Sequence, residues 1–501
     1  MSTRAVQAFG SFLFAIALSP ALLFAAEQPV LKWGGDCDGG APYIFRDPEN
    51  PERLIGFEVD LVEALAKKLG RKPEFIQNQW DGLVPGLKRG DYDIAINGIE
   101  ITEERLREAS FSIPYFHTYE QISVRKGDEA IQSLTAARGK IAGALTASLA
   151  ERILEEAGGI ESRSYSSQTN LYEDLANGRL DLVLMDQPVA IYYADPDPRL
   201  RSVGEPIGRM SYGIALKKES RELLASIDRA LKELKAEGVL RDIYDRWGIW
   251  NPLVAREFKD ASPSRPAREL ERYLISRDGF SGWKAKLSRY SSYLPLLLEG
   301  ALTTVKLSVL GMTLAVVLGL LLALARLYGG PVLSTLSLVY VEVFRGTPLL
   351  IQLFLLFYGL PYLGIKLSPL VAAVLGLGFN YAASEAEVYR AGILSVPQGQ
   401  ADAAFSLGLN RRRTLRHVIL PQAMRVVLPP MTNDFIALLK DSSLVSIITM
   451  VELTKVYGQL ASATYDHLGL GILTAILYFL MGLPFVRLAR RAERRASLGW
   501  R

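Results

Sequence analysis

The stretch from Asn97 to Arg105 (NGIEITEER) groups residue types suited to a small anion. Gly98 lets backbone approach a ligand, Thr102 can cap the helix that follows, and the Arg105 guanidinium presents a planar fork that matches a carboxylate. Further on, Asp186 closes the apolar run LDLVLMD. An arginine from one part of a fold and an aspartate from another could hold both charges of a zwitterion. Taken singly, each is as well explained by a helix cap or a surface ion pair.

A second polar segment, ADAAFSLGLNRRRTLRHVILPQA, sits between apolar runs. It combines the small residues Ala401, Asp402, Ala403 and Ala404 with a helix-breaking Gly408, a run of arginines and Pro421. Small residues followed by a breaking glycine suit a short helix that docks into a cleft on another protein. The arginines beside it can pair with acids there or with lipid phosphates.

Several chemistries are absent. No Gly-x-x-x-x-Gly-Lys-Ser/Thr phosphate loop exists, so ATP hydrolysis by that route is excluded. His117, His417 and His467 are too scattered to suggest a metal site, and no metal or cofactor is expected in this chain. Cys37 is the only cysteine, which rules out an intrachain disulfide. With 57 basic and 53 acidic residues the net charge is +4, which does not suggest a nucleic-acid binder.

The elements that must position these residues fall into two unlike halves. Residues 1–26 carry one arginine and an apolar stretch, as in a signal peptide or an uncleaved signal anchor. Residues 27–250 are mixed in charge and alternate β-like runs (PVLKWGG, DYDIAING, KIAGAL, LDLVLMD) with amphipathic helices. In FEVDLVEALAKKLG, Phe57, Leu61, Leu65 and Leu69 share one face and Gly70 ends the helix. This alternation indicates an exported α/β domain with mostly parallel sheets, whose ligands bind where strands end in polar loops. Residues 251–293 are rich in Ser, Pro and Arg and read as a tether.

Residues 294–491 read as an all-α polytopic membrane domain, followed by a cytoplasmic tail at 492–501. Five apolar runs of spanning length fall at about 301–325, 347–361 (with a lead-in from Val332), 369–391, 428–451 and 468–488. Arginine clusters follow spans one, three and five, whereas Lys366 and Lys455 lie in the alternate loops. The positive-inside rule then places residues 27–250 outside and the Ala401 segment inside. Glu385, Glu387, Lys440 and Asp441 are charges within spans, either functional or paired with one another.

From about Leu31 to Trp250 the chain resembles the periplasmic binding proteins of polar amino acid importers. The matching stretches are GFEVDLVEALAKKLG, WDGLVPGLKRGDYDIAINGIEITEERLREASFSIPYF and LDLVLMD. The resemblance implies two α/β lobes joined by a two-crossing hinge. It also implies that Arg105, with Thr102 and the Gly98 backbone, binds a ligand carboxylate, that Asp186 binds its ammonium, and that Trp80 walls the pocket. Asp36 sits where members with cationic ligands carry a side-chain-sensing acid. The sequence departs from this pattern in three places. Glu100 replaces a usual Ser or Thr, Thr146-Ala147-Ser148 replaces Gly-Thr-Thr/Ser, and Gly39-Gly40 replaces an aromatic. A carboxylate beside the ligand's own is unfavourable without a cation. Either the ligand brings positive charge or Glu100 points away.

From about Gly300 to Arg487 the chain resembles the permeases of ABC-type amino acid importers. The resemblance rests on YVEVFRGTPLLIQLFLLFYGLP, SEAEVYRAGI, KDSSLVSII and the Ala401–Pro421 segment, where Asp402 stands for the usual Glu. It implies a separate ATPase dimer that binds ATP and holds the Ala401–Gly408 helix, and a second permease copy or a paralogue. An amino-acid-gated channel shares the two-lobed fold but has its pore between the lobes, whereas these spans all follow them. An exported enzyme on an anchor would need a catalytic constellation, and none is assembled.

Overall fold

The computed structural model describes residues 28–278 and 283–497, so the leader at 1–26 and the last residues of the tail lie outside the described residues. Twelve strands form in the first half: β1 Val30–Gly35, β2 Phe45–Arg46, β3 Leu54–Ile55, β4 Lys72–Gln77, β5 Ile94–Ala95, β6 Ser110–Phe111, β7 Phe116–Arg125, β8 Ile141–Leu145, β9 Glu161–Tyr165, β10 Leu182–Asp186, β11 Leu200–Tyr212 and β12 Ala215–Leu216. They build two five-stranded sheets, ordered β4-β1-β5-β12-β6 and β11-β7-β10-β8-β9, plus the β2-β3 pair. Each sheet defines one lobe.

The chain passes from lobe one to lobe two between β6 and β7 and returns between β11 and β12. These crossings lie side by side, with the Tyr115 N–H donating to the Tyr212 carbonyl at 3.0 Å. They also correct the expectation of mostly parallel sheets. β1 pairs parallel with β4 and β5, and β8 with β9 and β10, but β12 and β7 each pair antiparallel with both neighbours. Both strands adjoin the hinge crossings, β7 following the first and β12 the second.

The Phe57–Leu69 helix shows how patterning positions the site. Phe57, Leu61 and Leu65 are fully buried, and Gly70 closes the helix at φ 64°. Burying each such side chain is worth about 1.5–3 kcal/mol. That face packs into a core reaching Phe116, Tyr212 and Tyr244, which fixes Glu58 beneath the interlobe cleft.

Among its described residues the expected tether carries two helices of its own. Helices Pro252–Phe258 and Arg268–Asp278 pack back onto the binding domain. Tyr273 is buried against Phe45, and Arg272 pairs with Asp47 at 2.9 Å and Glu49 at 2.7 Å. The Arg241 guanidinium caps the carbonyls of Ser262 and Pro263, holding the proline-rich turn.

The second half is helical. Lys286–Tyr328 and His467–Leu488 are long and apolar enough to cross a membrane. The former, at about 1.5 Å per residue, is about 65 Å long, twice a hydrocarbon core of about 30 Å. Its outer end therefore reaches the binding domain, where the Tyr293 hydroxyl donates to the Pro48 carbonyl at 2.9 Å. The expected second span is broken instead: Gly330–Gly346 and Leu349–Leu363 meet at 105° across Thr347-Pro348. Proline disfavours the helical region for the residue before it, and Thr347 is extended at φ −117° and ψ 141°. The fourth apolar run starts earlier than expected, as helix Leu420–Asp441 followed by a tight turn at Ser442–Ile448.

Helices Pro369–Leu394 and Leu420–Asp441 carry more polar groups, several of them paired inside the bundle. Glu387 pairs with Arg326 and Arg390, and the Tyr381 hydroxyl donates to Asp441. Lys440 is exposed, and Glu385 is fully buried. Gly319 lets the first helix approach the third so closely that a Cβ there would lie 2.6 Å from the Glu385 Cβ.

Candidate functional site

Lobe one supplies Arg105 from the first turn of Glu103–Glu108, a helix capped by the Thr102 hydroxyl, which accepts from the Arg105 N–H at 3.3 Å. The guanidinium lies over the Trp80 ring, 4.9 Å from its centre, while the Trp80 indole N–H donates to the Asn97 carbonyl at 2.9 Å. Glu100 does not point away. Only 2% exposed, it pairs with Arg105 through one carboxylate oxygen and accepts the Leu149 N–H at 3.2 Å through the other. Leu149 opens a lobe-two helix capped by Ser148, whose hydroxyl accepts from the Glu151 N–H at 3.2 Å. Arg105 also crosses the cleft to donate to the Ala147 carbonyl at 3.3 Å. A carboxylate of the chain itself thus sits between an arginine of one lobe and a helix N-terminus of the other, a favourable place for an anion.

Gly98 adopts φ 59°, yet its N–H donates inward to the Glu58 carboxyl at 2.7 Å. A role for that N–H toward a ligand is therefore replaced by one toward the core. Burial pushes the Glu58 carboxyl up to about 8, against the lowering effect of the Tyr115 hydroxyl and Gly98 N–H that donate to it.

Asp186 ends β10 beneath the same cleft. It accepts from the Tyr43 hydroxyl at 3.0 Å and from the Tyr212 hydroxyl. Glu120 stands directly across from it in the β7–β10 ladder. Burial, and then the Glu100 charge, raise the Asp186 carboxyl to about 6, and burial and these neighbours push Glu120 well above its ordinary range. Three carboxyl groups in electrostatic contact, those of Asp186, Glu120 and Glu100, make this region suited to an ammonium.

Asp36 is spent on structure. Its carboxylate accepts from the Asp38 N–H, the Gln77 amide and the Trp80 N–H at 3.0, 2.8 and 3.0 Å. Asp38, not singled out from sequence, borders with Asp36 a cavity of about 320 Å³. Lobe one lines it through Asp36, Asp38 and Trp80, lobe two through Tyr165, and the membrane domain through Tyr457 and His467. The last two flank or belong to helix Leu453–Thr464, which carries Lys455, read from sequence only as an outer-loop charge.

The Ala401 segment forms helix Gln398–Ser406, with Gly408 beyond it at φ 81°. Ala404 packs inward, whereas Asp402, Ala403 and Phe405 are exposed and Leu407 is 83% exposed. Pro421 follows directly on the π-helical turn Leu415–Ile419, inside a helix that runs unbroken from Arg411 to Asp441, and the wider turn ahead of it accommodates the missing N–H.

Residues 33–249 match the bacterial extracellular solute-binding proteins, family 3, and residues 315–498 match the binding-protein-dependent transport system inner membrane component. The chain is 37% identical over 207 residues to the glutamine transport system permease protein GlnP of Escherichia coli K12, covering 94% of that protein and 41% of this chain. It is 39% identical over 208 residues to the L-cystine transport system permease protein TcyB of Bacillus subtilis 168, covering 89% of that protein and 40% of this chain. A solved ancestral arginine-binding protein bound to glutamine is 36% identical, covering 98% of that chain and 44% of this one, with a TM-score of 0.42. The chain belongs to the binding-protein-dependent transport family, with a family 3 solute-binding domain ahead of the permease domain. It is a solute-binding and permease chain of an amino-acid ABC importer.

Proposed function

We propose that the chain captures a polar amino acid outside the cell or in the periplasm and passes it through an inner-membrane permease of five spans. Arg105 receives the ligand carboxylate once Glu100 gives way, Asp186 with Glu120 receives the ammonium, and Trp80 borders the side chain. Thr102 and Ser148 act by capping the helices that present these groups. An ATPase dimer binds ATP and grips helix Gln398–Ser406, and the permease pairs with a second copy or a paralogue.

The observation that carries this reading is the Glu100 carboxylate held between Arg105 and the Leu149 N–H. It supports the reading because donors from both lobes converge on one carboxylate there. The test is calorimetric titration of the full chain in lipid nanodiscs with the common amino acids, beside an Arg105→Ala variant. Binding abolished by the substitution supports the reading; binding indifferent to it refutes the role of Arg105.

A further inference from the structure

Besides the Tyr293 contact, the membrane domain touches the binding domain through helix Leu453–Thr464. Glu452 caps that helix, accepting the N–H groups of Thr454 and Lys455, both at 2.9 Å. The Arg46 guanidinium donates to Gln459 at 2.8 Å, and Tyr465 packs on Tyr193 with ring centres 5.7 Å apart. One permease helix is therefore clamped to both lobes. From it Lys455, with a side chain 4% exposed, pairs with one carboxylate oxygen of Asp38. The other Asp38 oxygen is buried and makes no hydrogen bond.

Asp38 borders the cavity described above together with Asp36 and Asp81. Asp36 is fully engaged by the protein, whereas Asp38 keeps one buried oxygen without a hydrogen bond, so Asp38 is able to meet a ligand cation. Burial raises the Asp38 carboxyl to about 6 even though Lys455 and Arg46 pull it down, so a close positive charge is what keeps it ionised. The site accommodates one such charge well. A second cation at the same carboxylate meets like-charge repulsion in a poorly solvated place.

We propose that Lys455 is a permease-borne competitor for the ligand: docked on the binding domain, its ammonium takes Asp38 from the cationic side chain of a bound amino acid and so releases that ligand at the mouth of the permease. This rests on reading the cavity as the place of the ligand side chain, and it names the substrate class as amino acids of the arginine or lysine type. No bond is made or broken; one ammonium replaces another at a carboxylate.

The test is titration of the full chain in nanodiscs with L-arginine, L-lysine and L-glutamine. Lys455→Met should tighten L-arginine binding at least tenfold and slow its dissociation, while L-glutamine changes less than twofold. Lys455→Arg, which keeps the charge, should bring the arginine affinity back toward that of the natural chain. Should Lys455→Met not fold, Asp38→Asn must weaken L-arginine and spare L-glutamine. Unchanged or weaker arginine binding in Lys455→Met would make the pair a structural clamp and overturn the proposal. A natural chain that binds L-glutamine but neither cationic amino acid overturns it while leaving the amino-acid reading intact. A chain that binds none of the three removes both.

Discussion

Replacing Glu100 by glutamine should tighten amino-acid binding. In the unliganded chain the Glu100 carboxylate fills the niche that a ligand carboxylate would take, with Arg105 on one side and the Leu149 N–H at 3.2 Å on the other. Glu100 is 2% exposed and the Arg105 side chain 17%, so solvent screens the pair only weakly. A charge-assisted hydrogen bond of this kind contributes about 1.5–3 kcal/mol, and the neutral donor about 1 kcal/mol more. An incoming carboxylate must displace these contacts before making its own, so most of its gain cancels. Glutamine keeps the shape and a carbonyl for Leu149 but holds Arg105 far less strongly. Recovering half of the charged bond is worth about 0.8–1.5 kcal/mol, or roughly fourfold to tenfold in Kd. Titration of the full chain in nanodiscs measures this, and Arg105→Ala on the Glu100→Gln background should abolish the gain, because neighbouring groups are coupled. Binding weakened tenfold by Glu100→Gln would refute the reasoning, since Glu100 would then be holding a cation of the ligand.

Two further outcomes follow from the same geometry. Glu58 keeps its proton in the folded chain up to about pH 8, whereas an unfolded glutamate loses it near its ordinary value of 4.5. Its contribution to stability is thus complete below 4.5 and is lost as pH rises to 8, at a slope of up to about 1.4 kcal/mol per pH unit. Glu58→Gln should remove that slope, so its Tm advantage over the natural chain grows between pH 5 and 8; parallel profiles would exclude the effect. Leu407→Asp, at a residue 83% exposed beside helix Gln398–Ser406, should cut ATP-driven uptake at least tenfold while leaving the affinity for amino acid unchanged. Uptake that survives would place the ATPase contact elsewhere.

Local patterning was enough for the parts of this protein that depend on near neighbours. The Phe57–Leu69 face, the Gly70 stop, the strand before Asp186 and the small-residue helix before Gly408 all follow from periodicity and caps within one or two turns. Charge bias sets an expected orientation of the two halves across a membrane, because it counts residues rather than contacts. The bent pair at Thr347-Pro348 was legible in its proline, yet the apolar run hid it, since hydropathy carries no direction.

What a charged side chain meets is decided by the tertiary structure. Arg105 reads as free for a ligand until Glu100 is seen to occupy it, and Gly98 as a ligand donor until its N–H turns to Glu58. Asp186 gains Glu120 as a neighbour only because β7 and β10 are antiparallel in that register. Lys455 and Asp38 lie 417 residues apart, and no local pattern links them. Electrostatic partners are set by distance in space and by burial, and both arise only when the two lobes, the linker helices and the membrane helices have packed together.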